Sequence, residues 1–173
     1  EGHGGPEVLI AGDQPEPVPA PGEVSVDIHA ASVNAADVKV LAGGTYGEIE
    51  NFPYILGRDF SGVVASLGEG ADDFAVGDAV FGVCERGQEG TYAEKIAMDQ
   101  ALLTAKPESL SHIAAAALAL PGLTAIISIE ETIKLQAGEK ILIQGGAGGV
   151  AGGADGGKWL PAPQSEQSVP YSQ

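Results

Sequence analysis

After Glu139 and Lys140 the chain enters three large aliphatic residues, Ile141, Leu142 and Ile143, and then a run of small ones, Gly145-Gly146-Ala147-Gly148-Gly149-Val150-Ala151. A short apolar run bounded by glycine reads as a buried strand. The small residues from Gly146 to Ala151 fit G-x-G-x-x-A. In this spacing the first permits a tight turn, the second lets backbone approach a diphosphate, and the last allows a helix to pack closely on the strand. In a chain with 26 Gly the spacing also arises by chance, so the preceding strand gives it its weight.

Beyond the turn the pattern breaks off. Residues 152–163, GGADGGKWLPAP, are rich in Gly and Pro, which cost about 1 and 3 kcal/mol each inside a helix. The sequence therefore predicts no helix there. A dinucleotide site also needs a ribose-reading residue about 20 positions beyond the turn; Asp155 is too close, and Glu166 lies in a Pro/Ser/Gln stretch. Residues 153–173 have no apolar period and are expected to be disordered or displaced.

Upstream, 26 Gly and 11 Pro with 5% aromatic residues predict many turns and short strands, hence a mainly β fold with some α. Val24, Val26 and Ile28 alternate with Ser25, Asp27 and His29, the period of a strand with one buried face. His29 falls on its polar face, as an exposed or hydrogen-bonded residue. Gly62 to Leu67 and Asp78 to Val83 read as further strands. Ser111 is a good N-cap for a helix from His112 to Leu120, which Pro121 and Gly122 are expected to end. A second helix is predicted from Leu123 to about Leu135, with Ala125, Ile126, Ile127 and Ile133 on its apolar side.

Eight basic and 24 acidic residues give a net charge of −16, which would repel nucleic acid and anionic lipid; neither is an expected partner. Cys84 is the only cysteine, so no intramolecular disulfide forms. His3, His29 and His112 are too dispersed in sequence to signal a structural zinc site. The stretch Ile113 to Ile129 is interrupted by Pro121, Gly122, Thr124 and Ser128, a poor membrane span. Residues 1–10 lack a basic patch followed by an apolar stretch, so no signal peptide is visible. A cytoplasmic location is the expectation.

LQAGEKILIQGGAGGV resembles the cofactor turn of the zinc-independent quinone oxidoreductases, in the medium-chain dehydrogenase/reductase superfamily. GGPEVL, SVNAADVKVLAG, ILGRDFSGVV, VGDAVFG, GTYAE and PESLSHIAAAALALPGLTA agree with that family in the same order. The resemblance implies a GroES-like, partly open β-barrel catalytic domain over residues 1–120. It further implies a connecting helix, first strand and glycine turn of a truncated Rossmann domain over 121–152, followed by the tail 153–173. It implies NADPH as cofactor, with NADH not excluded, hydride transfer to a quinone or enone, and a homodimer when full length. Zinc-dependent relatives carry cysteine at the position of Asn34 and histidine at that of Arg58, so no metal is expected.

By the same resemblance Asn34 and Asp37 lie beside the nicotinamide, and Tyr46 lines the acceptor site. Thr124, Gly146, Gly148, Gly149 and Val150 contact the cofactor. Lys39 would donate a proton to the reduced acceptor if burial lowered its pKa; a solvated lysine is the simpler reading. Simpler readings stand beside the others too: Asn34 and Asp37 capping a turn or short helix, Tyr46 packing in a loop, Thr124 bonding its own helix. Arg58 is expected to need a carboxylate partner, with Asp59 adjacent, and Cys84 to be a small buried residue. With its cofactor half incomplete, the chain alone is not expected to be competent. The alternative is a non-catalytic GroES-like β domain acting in protein interaction or oligomerisation.

Overall fold

The computed structural model describes residues 2–43, 49, 52–145 and 148–150. The chain divides into two compact units, Glu1–Ala119 and Leu120–Gln173.

The first unit is built on five strands: β1 Glu23–Ala31, β2 Asp59–Leu67, β3 Ala79–Val83, β4 Lys95–Asp99 and β5 Leu103–Ala105. They form an open sheet in the order β4-β1-β2-β3-β5, every pair antiparallel. Of the four strands expected from sequence, three are β1, β2 and β3. Val26 of β1 faces Val64 of β2 on one side and Ile96 of β4 on the other, and Val24 faces Met98. With Phe60, Val80 and Cys84 these residues form the core, and Val24, Val26, Phe60 and Val80 are wholly inaccessible. Each such side chain contributes about 1.5–3 kcal/mol by leaving water, so the central strands carry most of the sheet's stability.

Two irregularities shape β1. Between Ile28 and Ala30 the chain advances two residues while β2 advances only from Gly62 to Ser61, which makes His29 the extra residue of a β-bulge. At this point the strands approach closely. A Cβ on Gly62 would lie 2.1 Å from the Asp27 carbonyl oxygen and 2.8 Å from Val26 Cγ1, so glycine is required.

Between β1 and β2 lies α1, Ala35–Leu41. After β5 comes α2, His112–Ile126. Ser111 caps α2 as expected, its Oγ accepting from the Ala114 N–H at 3.2 Å. The predicted break at Pro121 does not occur. α2 runs through Pro121 and Gly122 and continues as π-helix over Ile127–Ile133, closed by Lys134 in the left-handed region (φ 57°, ψ 46°). Proline removes a single donor from the ladder. The Thr124 hydroxyl donates to Leu120 O at 2.8 Å and that of Ser128 to Thr124 O at 2.7 Å, bonding carbonyls four residues back. Because the two predicted helices are one, His112–Ile133 is by length and composition alone able to cross a membrane, contrary to the sequence reading.

The predicted strand at Ile141–Ile143 is also corrected: these residues are not in a strand. An apolar run becomes a strand only where a neighbour supplies the ladder's hydrogen bonds, and among the described residues no partner pairs with it. Gly149 and Val150 have helical backbone. The expected absence of helix beyond them, and the expected tail 153–173, lie outside the described residues.

Replacing Gly62 with alanine is expected to lower unfolding free energy by at least about 1–3 kcal/mol, the cost of forced overpacking. Urea unfolding followed by circular dichroism measures it; a stability equal to that of the parent would show that β1 and β2 separate freely.

Candidate functional site

As β1 ends, Ser32, Val33 and Asn34 lead into α1. Asn34 is the N-cap with extended backbone (φ −116°, ψ 156°). Its N–H donates to Asp37 Oδ2 at 2.7 Å, the back-bond of a capping box. Its side-chain amide donates to Asp59 Oδ1 at 2.9 Å and to Ser32 Oγ at 3.2 Å, while Ser32 Oγ itself donates to Asp59 Oδ1 at 2.7 Å. Tyr92, beyond the β3 hairpin, donates its phenol to Asp37 Oδ2 at 3.0 Å.

Asn34 therefore joins two carboxylates by two different groups. Asp37 is 3% exposed and Asp59 0%, and buried carboxylates persist only when donors replace their lost water. Asp37 Oδ1 is buried without a hydrogen-bond partner among the described residues, an acceptor open to a ligand's donor. Burial, the bond to Asp37 and the negative charges of Asp37 and Asp59 push the Tyr92 phenol above the usual tyrosine range.

A second buried carboxylate cluster lies one residue along. Glu89 accepts from the Tyr54 hydroxyl and from the Gly87 N–H at 3.0 Å, and its Oε1 lies 4.0 Å from Arg58 Nε. Arg58 Nη2 donates to the Cys84 carbonyl at 3.1 Å. Among these contacts the carboxylate facing Arg58 is thus Glu89, where sequence adjacency had suggested Asp59. Burial, then the charge of Glu89, pushes the Cys84 thiol up to about 12. This is an inert packing residue, as expected.

Of the expected site residues, the structure brings Asn34 and Asp37 together. Lys39 lies exposed on α1, so it lacks the desolvation on which its proton-donor role depended. Tyr46 and Gly146 lie outside the described residues. In the second unit, Thr124 bonds Leu120, its own helix, as the simpler reading had it. The turn there takes its positive φ (74°) at Gly145, and the Gly148 N–H donates back to Gly145 O at 2.8 Å. Among the described residues a Cβ at Gly145 or Gly149 would meet nothing within 4 Å, whereas one at Gly148 would lie 3.1 Å from Gly145 O. Ile129 and Ile133 on one side and Ile141–Ile143 with Gly148–Val150 on the other line an apolar cleft of about 510 Å³.

Sequence reasoning gave no role to Tyr92, Ser32 or Glu89. The available signal was GTYAE and ILGRD, two stretches joined outside the sheet by the backbone bonds from Tyr92 N–H to Leu56 O at 2.9 Å and from Gly90 N–H to Gly57 O at 3.0 Å. Among the described residues, no three His, Cys, Asp or Glu side chains are grouped to hold a metal ion.

Residues 20–108 match the alcohol dehydrogenase GroES-like domain, and the chain belongs to that family. Within it, the chain resembles the zinc-independent quinone oxidoreductases of the medium-chain dehydrogenase/reductase superfamily. It is 35% identical over 148 residues to the quinone oxidoreductase of Rattus norvegicus, covering 85% of this chain and 44% of that protein. It is 39% identical over 132 residues to the phthioceranic/hydroxyphthioceranic acid synthase of Mycobacterium tuberculosis (strain ATCC 25618 / H37Rv), covering 76% of this chain and 6% of that protein. The structure of Escherichia coli quinone oxidoreductase complexed with NADPH superposes with a TM-score of 0.81 at 29% identity, covering 95% of this chain and 49% of that one. The chain thus spans about half the length of these quinone oxidoreductases or less.

Replacing Tyr92 with phenylalanine removes one of the two donors to Asp37 Oδ2 and is expected to cost about 1–2 kcal/mol at pH 7. Because the folded phenol holds its proton to higher pH than an unfolded one, stability falls as pH rises above about 10. The variant should lose part of that alkaline decline in urea titrations at pH 7 and 10.5.

Proposed function

We propose that the protein carrying this chain is an NAD(P)H-dependent oxidoreductase that transfers a hydride to a quinone or enone without zinc. The observation that carries this reading is the Asn34–Asp37 pair, with a buried acceptor oxygen that has no hydrogen-bond partner among the described residues, in a chain related to quinone oxidoreductases.

The residues fit a nicotinamide cofactor in two places. Asp37 Oδ1 offers a buried acceptor for a hydroxyl or amide donor, and the backbone at Gly145 and Gly149 is uncrowded enough to suit a diphosphate, the role the resemblance also gives Gly146, Gly148 and Val150. When bound, the cofactor supplies the hydride. Asn34 is held rigidly by its bonds to Asp37 and Asp59, so it orients what docks beside it without reorganising. NADPH is favoured over NADH because the Escherichia coli neighbour binds it. The proton that completes reduction comes from solvent, and the family resemblance assigns Tyr46 to the acceptor side.

Zinc independence is supported by donor chemistry. Asn34 and Arg58, at the positions of zinc ligands in zinc-dependent relatives, present an amide that donates to Asp59 and a guanidinium that donates to the Cys84 carbonyl, neither of them a zinc donor.

The test follows NADPH absorbance at 340 nm. The protein carrying this chain should oxidise NADPH only when a benzoquinone or an enone is added, and Asn34→Ala should lower kcat/KM at least about tenfold, or about 1.4 kcal/mol. If neither acceptor accelerates the loss of absorbance, the assignment fails.

A further inference from the structure

His29 and His112 are 83 residues apart, yet their rings lie 4.4 Å apart between centroids, tilted by 46°. His29 is the extra residue of the bulge in β1, and His112 is the first residue of α2. His112 Nδ1 lies 2.8 Å from Ser61 Oγ, on β2. Ser61 is wholly buried, and its hydroxyl hydrogen is donated to Val80 O at 2.8 Å. Ser61 Oγ is therefore the acceptor from His112, and His112 carries its neutral-state proton on Nδ1. A further proton can enter only at Nε2.

Among the described residues, the charged groups that act on His112 oppose it. Lys106 is anchored close to the helix start, its Nζ donating to Leu110 O at 2.7 Å and Pro107 O at 3.2 Å. The positive end of the α2 dipole acts in the same direction. The carboxylates on the adjoining strands are occupied elsewhere: Asp27 on β1 lies 3.6 Å from Lys95, and Asp59 on β2 accepts from Ser32 and Asn34. Burial first, then His29 and Lys106, holds the His112 imidazole below its ordinary range.

We propose that His29 and His112 form a proton-responsive contact, which holds the first turn of α2 to β1 and β2 while His112 is neutral and releases it when His112 is charged. The sense of the pH dependence comes from linkage. An unfolded histidine takes its proton near pH 6.5, whereas folded His112 takes it lower. Between the two values the unfolded chain binds more protons, so stability is complete above about pH 6.5 and is lost as pH falls toward the folded value.

The experiment is an NMR titration of the imidazole Cε1–H signals from pH 5 to 8, with amide exchange protection measured at Ala114–Ala116. In the parent, protection of that turn should fall with pH as His112 is charged. Exposed His29 is replaced by Gln, and separately by Phe, which keeps a ring but no charge. In both variants the His112 midpoint should rise by about half a unit or more, and the acid loss of protection should shrink. An unchanged His112 midpoint in His29→Phe, or first-turn protection indifferent to pH in the parent, overturns the proposal.

Discussion

A carboxylate with no accessible surface stands at the start of β2, and the functional half of the first unit is arranged around keeping it solvated by protein. Asp59 obtains donors from Ser32 and Asn34, which fixes the exit of β1 against the entry of β2. Asn34, held by its side chain, then offers its N–H to Asp37 and so starts α1 at a defined place and angle. Removing one donor would leave a buried charge short of partners, which costs more than the bond itself contributes. Site geometry and chain path are here the same set of hydrogen bonds.

The GroES-like sheet is the frame that makes this possible. Its strands are short, but the two central ones carry side chains wholly removed from water, so the residues at their ends are held by a rigid interior. The bulge at His29 and the close approach at Gly62 alter the course of β1 just before it delivers Ser32 and Asn34. Quinone oxidoreductases related to this chain share that framework.

Much of this was legible in the residues, and the failures have physical causes. β1 was visible because Val24, Val26 and Ile28 alternate cleanly. β4 has the same signature, with Ile96 and Met98 buried and Lys95 and Asp99 outward, but it is only five residues long and is easily passed over. Local propensity misled at Pro121, where hydroxyl back-bonds from Thr124 and Ser128 accompany an unbroken helix. It misled again at Ile141–Ile143, where apolar character was present but no neighbouring strand paired with it. At the site, resemblance selected Asn34 and Asp37, but their partners Asp59 and Tyr92 are 25 and 55 residues away from them. Pairings at such separation depend on strand register, which a pattern of residue types does not encode.

The buried positions of α2 are all alanine: Ala115, Ala116, Ala119 and Ala125. Methyl groups allow close approach but interlock poorly, because no large side chain projects into a matching recess. With so little to interlock, the first turn of this helix takes its place from a polar contact, His112 Nδ1 against Ser61 Oγ on β2, and one imidazole marks where the smooth face begins.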